Sequence, residues 1–331
     1  MKPKLTIAIP TFNRAKPLSN TLQRLFPQVS DDWVLLILDN CSEQPVIKVQ
    51  KDHLAAFGEN RVKVIRNAVN VGACANVLRC FEYCSTEWLV VLGDDDEIAS
   101  DYVAVFLAAI VQHPAAIFIN FTCNLHVRKA DYTTTNLSEF CQKMVEWGNI
   151  LTLSCGAYNR NALAPYLRYG YTYSYTLSPH SAVLLQFLKT HGGQCVFFAK
   201  TIVNIGLSND VESWCRFNQS KFIFLMELIP YQADQQAFLK CLRQFFIAPK
   251  VITPYLIDRY EKSGEAPGFY FETLTFCFTC MQPRFRDRVR LPLMRILTAR
   301  PGLGVKIMKL IRWMSRKRTH IQVDVDLHRG F

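Results

Sequence analysis

No uninterrupted apolar run in this 331-residue chain reaches the length of a membrane-spanning helix, which needs about 20 residues. The longest candidate, YVAVFLAAIVQHPAAIFI, is broken by Gln112, His113 and Pro114. The N-terminal MKPKLTIAIPTFNR has too short an apolar stretch to read as a secretory signal. The sequence therefore predicts a cytoplasmic protein without a transmembrane helix.

A second pair of metal-binding cysteines is also lacking. Among the twelve cysteines, Cys277 and Cys280 form a lone CxxC, and no further Cys or His pair with zinc-ligand spacing follows. Structural disulfides are rare in the cytosol, so others, such as Cys80 and Cys84 on a predicted helix, are interpreted as small buried residues. The sequence favours buried thiols over metal or redox chemistry.

Acidic residues are nearly absent from residues 284–318, which contain twelve basic residues and a single acidic one, Asp287. The whole chain has a net charge of +11. Basic and apolar residues alternate there at roughly helical spacing, which is typical of helices that lie on anionic membranes. Basic helices packed on the rest of the protein, with a solvated outer face, are an equal alternative. Nucleic acid fits less well, because no recognition motif is present.

The first 120 residues alternate between short apolar runs and segments with helical periodicity. The predicted strands are 5–12, 33–40, 61–67, 87–94 and 115–122, and the predicted helices between them are 16–26, 73–84 and 101–113. Alternation with almost continuously apolar strands predicts an α/β fold, in which a Rossmann-like, mostly parallel sheet is covered by helices on both faces.

The second half of the chain is less regular. Residues 123–148 have no clear pattern, Ser178 and Pro179 are placed to begin a helix, and 193–206 is a last predicted strand. We divide the chain into a nucleotide-binding, catalytic domain at 1–206 and a mainly helical, basic region at 207–331, which would serve the acceptor side and membrane association.

Three consecutive carboxylates, Asp94, Asp95 and Asp96, follow the apolar run WLVVL. A turn that caps the next helix would account for one or two of them. A divalent cation, Mn²⁺ or Mg²⁺, accounts for the cluster better, because protein sites for these ions combine one or two carboxylates with substrate phosphates. Ligands of parallel α/β sheets also bind at the carboxyl ends of the strands.

Four segments carry a resemblance to a known family: IAIPTFNR, LDN at 38–40, NVGACANVLRC and VLGDDDEI. In order and spacing they resemble the family 2 glycosyltransferases, which have the GT-A fold. The resemblance covers residues 4–125, and more weakly extends to about 205. Within the family the chain looks like bacterial enzymes that build O-antigen, capsule or other surface glycans, abequosyltransferases among them.

The resemblance implies an inverting, metal-dependent transferase that moves a sugar from a nucleotide-sugar donor, first of all a UDP-sugar, to a hydroxyl of a glycan or lipid-linked acceptor. In the family's DxD motif, Asp96 would bind the metal, with Asp95 as the alternative ligand. The alignment of these aspartates with the motif can shift by one residue, because GDDD differs from the commoner LDxDD. The implied donor contacts are Pro10, Thr11, Asn13, Arg14, Asp39, Asn40, Asn70, Gly72, Asn76, Asp94 and Asp95.

Individual donor roles are also implied by the resemblance. Arg14 would pair with the diphosphate through its planar guanidinium, although a solvated surface arginine is an equal alternative. Asp39 would accept a hydrogen bond from the base, and Gly72 would permit close approach of the backbone. Asp94 would face the ribose or the sugar.

The family's catalytic base is an Asp after the acceptor loop, and SYTLSPHSAVLL has none. His180 occupies its place, where a helix N-terminus would disfavour the protonated imidazole. A capping or core-edge histidine is the alternative, and Glu146 and Asp131 are reserve candidates for the base. Trp214 resembles an aromatic residue of the acceptor site, but a core residue would look the same.

Two other functions stay open on the sequence. A sugar-phosphate nucleotidyltransferase would need a glycine-rich, basic loop after the first strand, and IPTFNR lacks one. A non-catalytic scaffold at the membrane is favoured by the missing acidic base and disfavoured by the retained aspartates.

Overall fold

The structure, a computed structural model, describes residues 2–144, 147–205 and 220–246, together with 299–300, 302–303, 306–307 and 309–310. Its strands are β1 (Leu5–Thr11), β2 (Trp33–Asp39), β3 (Val62–Arg66), β4 (Trp88–Val91), β5 (Glu97–Ile98), β6 (Ala116–Cys123), β7 (Tyr132–Thr134), β8 (Gly156–Asn159) and β9 (Gln194–Asn204). They confirm the predicted strands to within a few residues and add β5, β7 and β8.

The strands form one mixed sheet in the order β3-β2-β1-β4-β8-β6-β9-β5, and β7 pairs with β9. The first four strands are parallel, as are β6 and β9, which confirms the predicted α/β class. Antiparallel β8 lies between β4 and β6. The sequence did not predict this insertion, because a four-residue strand carries no signal for its pairing partner.

Helices cover the sheet on both faces. They are α1 (Ala15–Leu25), α2 (Val46–Val49), α3 (Lys51–Phe57), α4 (Ala73–Tyr83), α5 (Tyr102–Gln112), α6 (Leu137–Lys143), α7 (Trp147–Leu151), α8 (Arg160–Leu163), α9 (Leu167–Thr172), α10 (Pro179–His191) and α11 (Gln232–Phe246). Short 3₁₀ turns connect several of them, including Leu153–Cys155 and Ser220–Leu228.

The core has two parts, one on each face of the sheet. Leu5, Ile7 and Ile9 of β1 pack with residues of α1 and α5, whereas Ala8 packs on the other face with residues of α4 and α10. Because both faces are covered, strands such as β1 need apolar side chains at nearly every position. This explains why their sequences are continuous apolar runs rather than alternating ones.

The described part of the C-terminal region, residues 220–246, shares this core. Phe222, Phe238 and Leu242 are buried in the same cluster as residues of α4 and α10. The predicted domain boundary after 206, most of the basic region 284–318 and Trp214 lie outside the described residues, so these predictions remain predictions. Within the described ranges, no helix has both the length and the apolarity to cross a bilayer.

The predicted burial of cysteine side chains is confirmed where the structure describes them. Cys80 and Cys84 are buried, and all the described cysteines are free thiols. Cys41 and Cys74 are the two described cysteines that are partly exposed. Cys277 and Cys280 lie outside the described residues.

Candidate functional site

At the carboxyl ends of β1 and β4, Thr11 and Arg14 contact the aspartate cluster. Strand order reverses between these two strands, since β2 and β3 lie on one side of β1 and β4 on the other. β4 pairs with β1 only as far as Ala8, so Pro10, which has no N–H to donate, lies beyond that ladder. Such a reversal is where ligands bind in open α/β sheets.

Asp94 is buried and fixed by hydrogen bonds at this edge of the sheet. Its side chain accepts a hydrogen bond of 2.6 Å from the Thr11 hydroxyl at the end of β1. Thr21 of α1 donates to the Asp94 carbonyl oxygen at 2.9 Å, and Arg14 Nε lies 3.5 Å from Oδ1. Only 5% of Asp94 is exposed, so its carboxylate is held rigidly by two different elements.

Arg14 pairs with two of the three carboxylates. Besides its contact with Asp94, its guanidinium donates a short hydrogen bond to Asp95 Oδ2. The side chains of Arg14 and Asp95 are about one-third exposed, so both can be reached from solvent. Arg14 is thus ion-paired with the cluster, and its guanidinium lies on the solvent-accessible side.

Asp96 is turned toward the interior of the protein. Its Oδ2 accepts a 2.5 Å hydrogen bond from the hydroxyl of Ser154, in the 3₁₀ turn before β8. The same hydroxyl accepts a 2.9 Å hydrogen bond from the Gly93 N–H. No local sequence pattern indicates the role of Ser154, because it lies 58 residues from Asp96 and belongs to no motif.

Burial raises the pKa of both inner carboxyl groups. The pKa of Asp94 rises to about 6, chiefly through desolvation, which outweighs the opposing hydrogen bond from Thr11 and the charge of Arg14. The pKa of Asp96 also rises to about 6, again through desolvation, against the hydrogen bond from Ser154. The neighbouring Asp95 charge contributes to both increases. Crowded, desolvated carboxylates of this kind are typical of functional sites.

Asp39 lies at the end of β2 and is 1% exposed. Its carboxylate accepts hydrogen bonds from Ser42 N at 2.8 Å, Val46 N at 3.2 Å and Arg66 at 2.7 Å. Burial raises the pKa of Asp39, but these hydrogen bonds outweigh it and leave the pKa below its usual value. Because about four acceptor positions exist on a carboxylate, little capacity remains for a ligand.

Asparagines connect the loops at the carboxyl ends of β2 and β3. Asn40 donates to Asn70 at 2.7 Å, and Asn67 donates to both Asn40 and Asn76 at 2.9 Å. Asn76 in turn donates to the Leu38 carbonyl. Asn40, Asn67 and Asn76 are each at most 3% exposed. Asn40 and Asn76, two of the predicted donor contacts, are therefore buried and hold the loops together through hydrogen bonds. Asn67 belongs to the same hydrogen-bond network and is not part of the motif.

Two predicted contacts of this region are exposed. Asn70 and Gly72 lie at the surface of the loop before α4, and Gly72 adopts a φ of 82°, which favours glycine. The Asn70 side chain accepts a hydrogen bond from Gly72 N at 2.9 Å.

The loop after β1 is tied to the loop after β2. Asn13 has a left-handed backbone, with a φ of 54°. Its N–H donates to the Ser42 hydroxyl at 3.0 Å, and its side-chain oxygen accepts from Glu43 N at 2.8 Å. Asn13, a predicted donor contact, is thus exposed, and its hydrogen bonds hold the two loops together.

The side chain of His180, the predicted catalytic base, is buried in the structure. It lies on α10 as predicted, but only 2% of it is exposed, and Nε2 is 2.9 Å from the Ile150 carbonyl. Nδ1 is buried without a hydrogen-bond partner among the described residues. Burial lowers the pKa of His180 to about 4. A base must lie within hydrogen-bond reach of the proton that it removes, and neither nitrogen is accessible.

The two reserve candidates for the base remain predictions. Asp131 is exposed, and its carboxylate accepts a 2.6 Å hydrogen bond from Ala199 N. Glu146 lies outside the described residues.

The aspartate cluster suits a cation that is shared with a substrate. No group of three or more His, Cys, Asp or Glu side chains within the described ranges could enclose a metal ion. Mg²⁺ and Mn²⁺ sites that act on phosphates need only one or two carboxylates, because substrate oxygens and water complete the shell. The accessible Asp95 and the adjacent Asp96 meet that requirement.

Comparison of sequences relates the first half of the chain to one family. The model of glycosyl transferase family 2 matches residues 6–160. The putative colanic acid biosynthesis glycosyl transferase WcaA of Escherichia coli is 28% identical over 106 residues, which are 32% of this chain and 37% of that protein. An uncharacterized glycosyltransferase of Haemophilus influenzae is 30% identical over 115 residues, 35% of this chain and 37% of that protein. The matches thus span little more than a third of each relative.

Comparison of structures covers almost the whole chain. TarS 1-349 of S. aureus in complex with UDP-GlcNAc matches with a TM-score of 0.61 at 11% identity, over 94% of this chain and 92% of that chain. The mannosyltransferase PcManGT of Pyrobaculum calidifontis, in complex with GDP-Man and Mn²⁺, matches with a TM-score of 0.50 at 11% identity, over 93% and 85%. At these identities the comparison shows the GT-A fold alone.

Proposed function

Through residues 6–160 the chain belongs to glycosyl transferase family 2, and on this premise we propose that it transfers a sugar from a nucleoside-diphosphate sugar to an acceptor hydroxyl. The observation that carries the proposal is the aspartate cluster at the carboxyl ends of β1 and β4, where Asp94 and Asp96 are fixed beside the accessible Asp95 and Arg14. Anionic donors need compensating positive charge at such a site, and the carboxylates need a cation.

The diphosphate would lie at the open side of the cluster. Arg14 is within contact of Asp94 and Asp95, and a guanidinium can exchange a carboxylate partner for a phosphate with the same planar geometry. The nucleoside would extend toward the loops that Asn13 ties to Ser42 and Glu43. Asp39 would then act mainly by shaping the region that receives the nucleobase, since Ser42, Val46 and Arg66 already occupy its acceptor positions.

Mn²⁺ or Mg²⁺ would be bound by Asp96, with Asp95 as the second carboxylate, and PcManGT was described with Mn²⁺ bound. When bound, the ion supplies Lewis-acid stabilisation of the negative charge on the departing diphosphate. Asp94 would orient the ribose or the sugar, because Thr11 and Thr21 anchor it and it is the least exposed of the three carboxylates.

We propose an inverting course, in which the acceptor hydroxyl attacks the anomeric carbon opposite the departing diphosphate and passes its proton to a base. His180 meets this requirement only if its imidazole becomes uncovered. The role that we propose is surface polysaccharide assembly, since WcaA is named for colanic acid biosynthesis. A UDP-sugar is the first donor to test, because TarS was described with UDP-GlcNAc.

Donor hydrolysis tests the proposal without knowledge of the acceptor. Glycosyltransferases let water replace the acceptor slowly, so we expect release of nucleoside diphosphate from one class among UDP-, GDP-, CDP- and dTDP-sugars, in the presence of Mn²⁺. The assay measures the released diphosphate for each donor. Release from none of the four classes, with and without added glycan acceptors, would contradict the proposed function.

The thiol of Cys41 provides a test of donor binding that does not depend on turnover. Cys41 is partly exposed, follows Asp39 and Asn40, and lies 3.9 Å from the Arg66 guanidinium. A nucleotide whose base lies in this region would cover it. At about ten times its dissociation constant, UDP with Mn²⁺ leaves about a tenth of the protein free, so alkylation of Cys41 by N-ethylmaleimide should slow about tenfold.

Peptide mass spectrometry resolves this labelling by residue. Buried Cys80 and Cys195 serve as internal controls, since labelling of either would report unfolding rather than exposure. If the alkylation rate of Cys41 is unchanged at nucleotide concentrations that saturate donor hydrolysis, the nucleobase does not bind beside Cys41.

A further inference from the structure

The hydroxyl group of Ser154 links the backbone of the aspartate loop to the carboxylate of Asp96. It accepts a hydrogen bond from Gly93 N at 2.9 Å and donates one to Asp96 Oδ2 at 2.5 Å. Ser154 is 0% exposed. A hydroxyl has one hydrogen, so its donation to Asp96 commits that hydrogen and fixes the rotation of the side chain.

Gly93 leaves the space that this arrangement requires. A Cβ atom at position 93 would lie 2.7 Å from Asp96 Oδ2 and 3.1 Å from Asp96 Cγ. The carboxylate is therefore folded back over the glycine, onto the Ser154 hydroxyl. Any larger residue at 93 would push the carboxylate away from this position.

The turn that presents Ser154 is itself anchored from other elements. Tyr102 of α5, which is 0% exposed, donates from its hydroxyl to the Ser154 carbonyl at 2.7 Å. Asn120 of β6 donates to the Cys155 carbonyl at 3.3 Å. β8, which begins directly after the turn, pairs with β4, which leads into the aspartates. Ser154 thus has a fixed position relative to the aspartate loop.

We propose that Ser154 is a positioning residue that holds Asp96 in the orientation in which it binds the divalent cation. This inference rests on the proposed function, because it assumes that Asp96 is a metal ligand. Residues that orient metal ligands through hydrogen bonds typically change metal affinity roughly 10- to 100-fold when they are replaced. The inserted antiparallel strand β8 would then have a functional consequence, since it brings this serine to the cluster.

The experiment measures Mn²⁺ affinity by electron paramagnetic resonance of free Mn²⁺, on the full chain, with and without UDP. We expect S154A to bind Mn²⁺ in the presence of UDP roughly 10- to 100-fold more weakly than the wild type. S154T keeps the hydroxyl and should retain most of the affinity. Thermal unfolding of each variant shows whether it is folded under the conditions of the titration.

S138A is the matched control. The Ser138 hydroxyl donates to the buried carboxylate of Asp234 at 2.8 Å, so this variant removes the same kind of hydrogen bond between α6 and α11. It should lose stability without a change in Mn²⁺ affinity. S154A should differ from it in the Mn²⁺ titration and in a lower kcat for donor hydrolysis at saturating donor.

Equal or tighter Mn²⁺ binding by S154A, in a wild type that binds Mn²⁺ with UDP, would overturn the inference and leave the proposed function intact. If the wild type itself binds neither Mn²⁺ nor nucleotide, the proposed function fails and the inference fails with it. Should S154A not fold, the S154T variant decides: Mn²⁺ affinity at the wild-type level supports the inference, and a loss as large as the one expected for S154A overturns it.

Discussion

Replacement of Asp96 by asparagine is expected to reduce donor hydrolysis by about 1,000-fold or more. Asparagine keeps the size of the side chain and can still accept the hydrogen bond from Ser154, so the fold of the loop should survive. The lost negative charge removes the proposed metal ligand. Lewis-acid stabilisation of a departing phosphate contributes several kcal/mol, and about 4 kcal/mol corresponds to a factor of about 1,000 in rate.

The measurement is kcat/KM for diphosphate release from the donor class that the wild type uses, across a Mn²⁺ titration. Asp101→Asn is the control variant, because Asp101 pairs with Lys200 at the surface with both side chains half exposed. It should keep activity within about twofold, as expected for a surface ion pair. An Asp96→Asn enzyme that retains more than about a tenth of the wild-type rate would shift the ligand role to Asp95.

Asparagine at position 39 is expected to lower the free energy of unfolding by about 2–4 kcal/mol at neutral pH. Asp39 is 1% exposed and accepts hydrogen bonds from Ser42, Val46 and Arg66. An asparagine turns an N–H₂ group toward at least one of these donors and removes the partner of the Arg66 charge. The loss is moderated because the Arg66 side chain is 37% exposed and can be solvated.

The same variant should show a defined pH dependence. The pKa of Asp39 in the folded protein is lowered, so its stabilising contribution is complete above the unfolded pKa of about 3.9 and is lost as the pH falls through the lower, folded pKa. The stability difference between wild type and Asp39→Asn should therefore be constant from pH 5 to 7 and shrink below about pH 4. Urea unfolding at a series of pH values measures it.

Asp101→Asn again serves as the comparison. The pKa of Asp101 is also lowered, first through the hydrogen bond from Lys200, but its half-exposed pair is screened by solvent and should contribute at most about 0.5 kcal/mol. If Asp39→Asn proves as mild as Asp101→Asn, or if the stability difference grows toward low pH, the hydrogen bonds of Asp39 do not stabilise the loop as argued.

Many features of the fold follow from local sequence patterns. Apolar runs such as those of β1 and β2 are strands because both faces of the sheet are covered. Asp94, Asp95 and Asp96 lie at a strand end because polar residues directly after a buried strand must emerge at the edge of the sheet. These inferences need only neighbouring residues, and the structure agrees with them.

Local sequence patterns do not give the direction of the side chains at the site. Asn40 and Asn76 are predicted donor contacts from their motif, and the structure adds that both are buried and hydrogen-bonded to Asn67. His180 occupied the position of a base in the sequence, yet its side chain points into the core. A motif gives the residue type and the position along the chain, whereas the direction of a side chain depends on the neighbours that pack against it.

The sequence by itself determined the α/β class, the positions of the first four strands along the chain and the placement of three carboxylates at the carboxyl edge of the sheet. Only the tertiary structure decided which groups contact those carboxylates. Arg14 pairs with Asp95, Thr11 donates a hydrogen bond to Asp94, and Ser154 donates one to Asp96. The physical reason is the range of the interactions. Strand and helix formation depends on periodicity over a few residues, but each of these hydrogen bonds joins residues 58 to 83 positions apart, and only the packing of β8 and β1 against β4 brings them together.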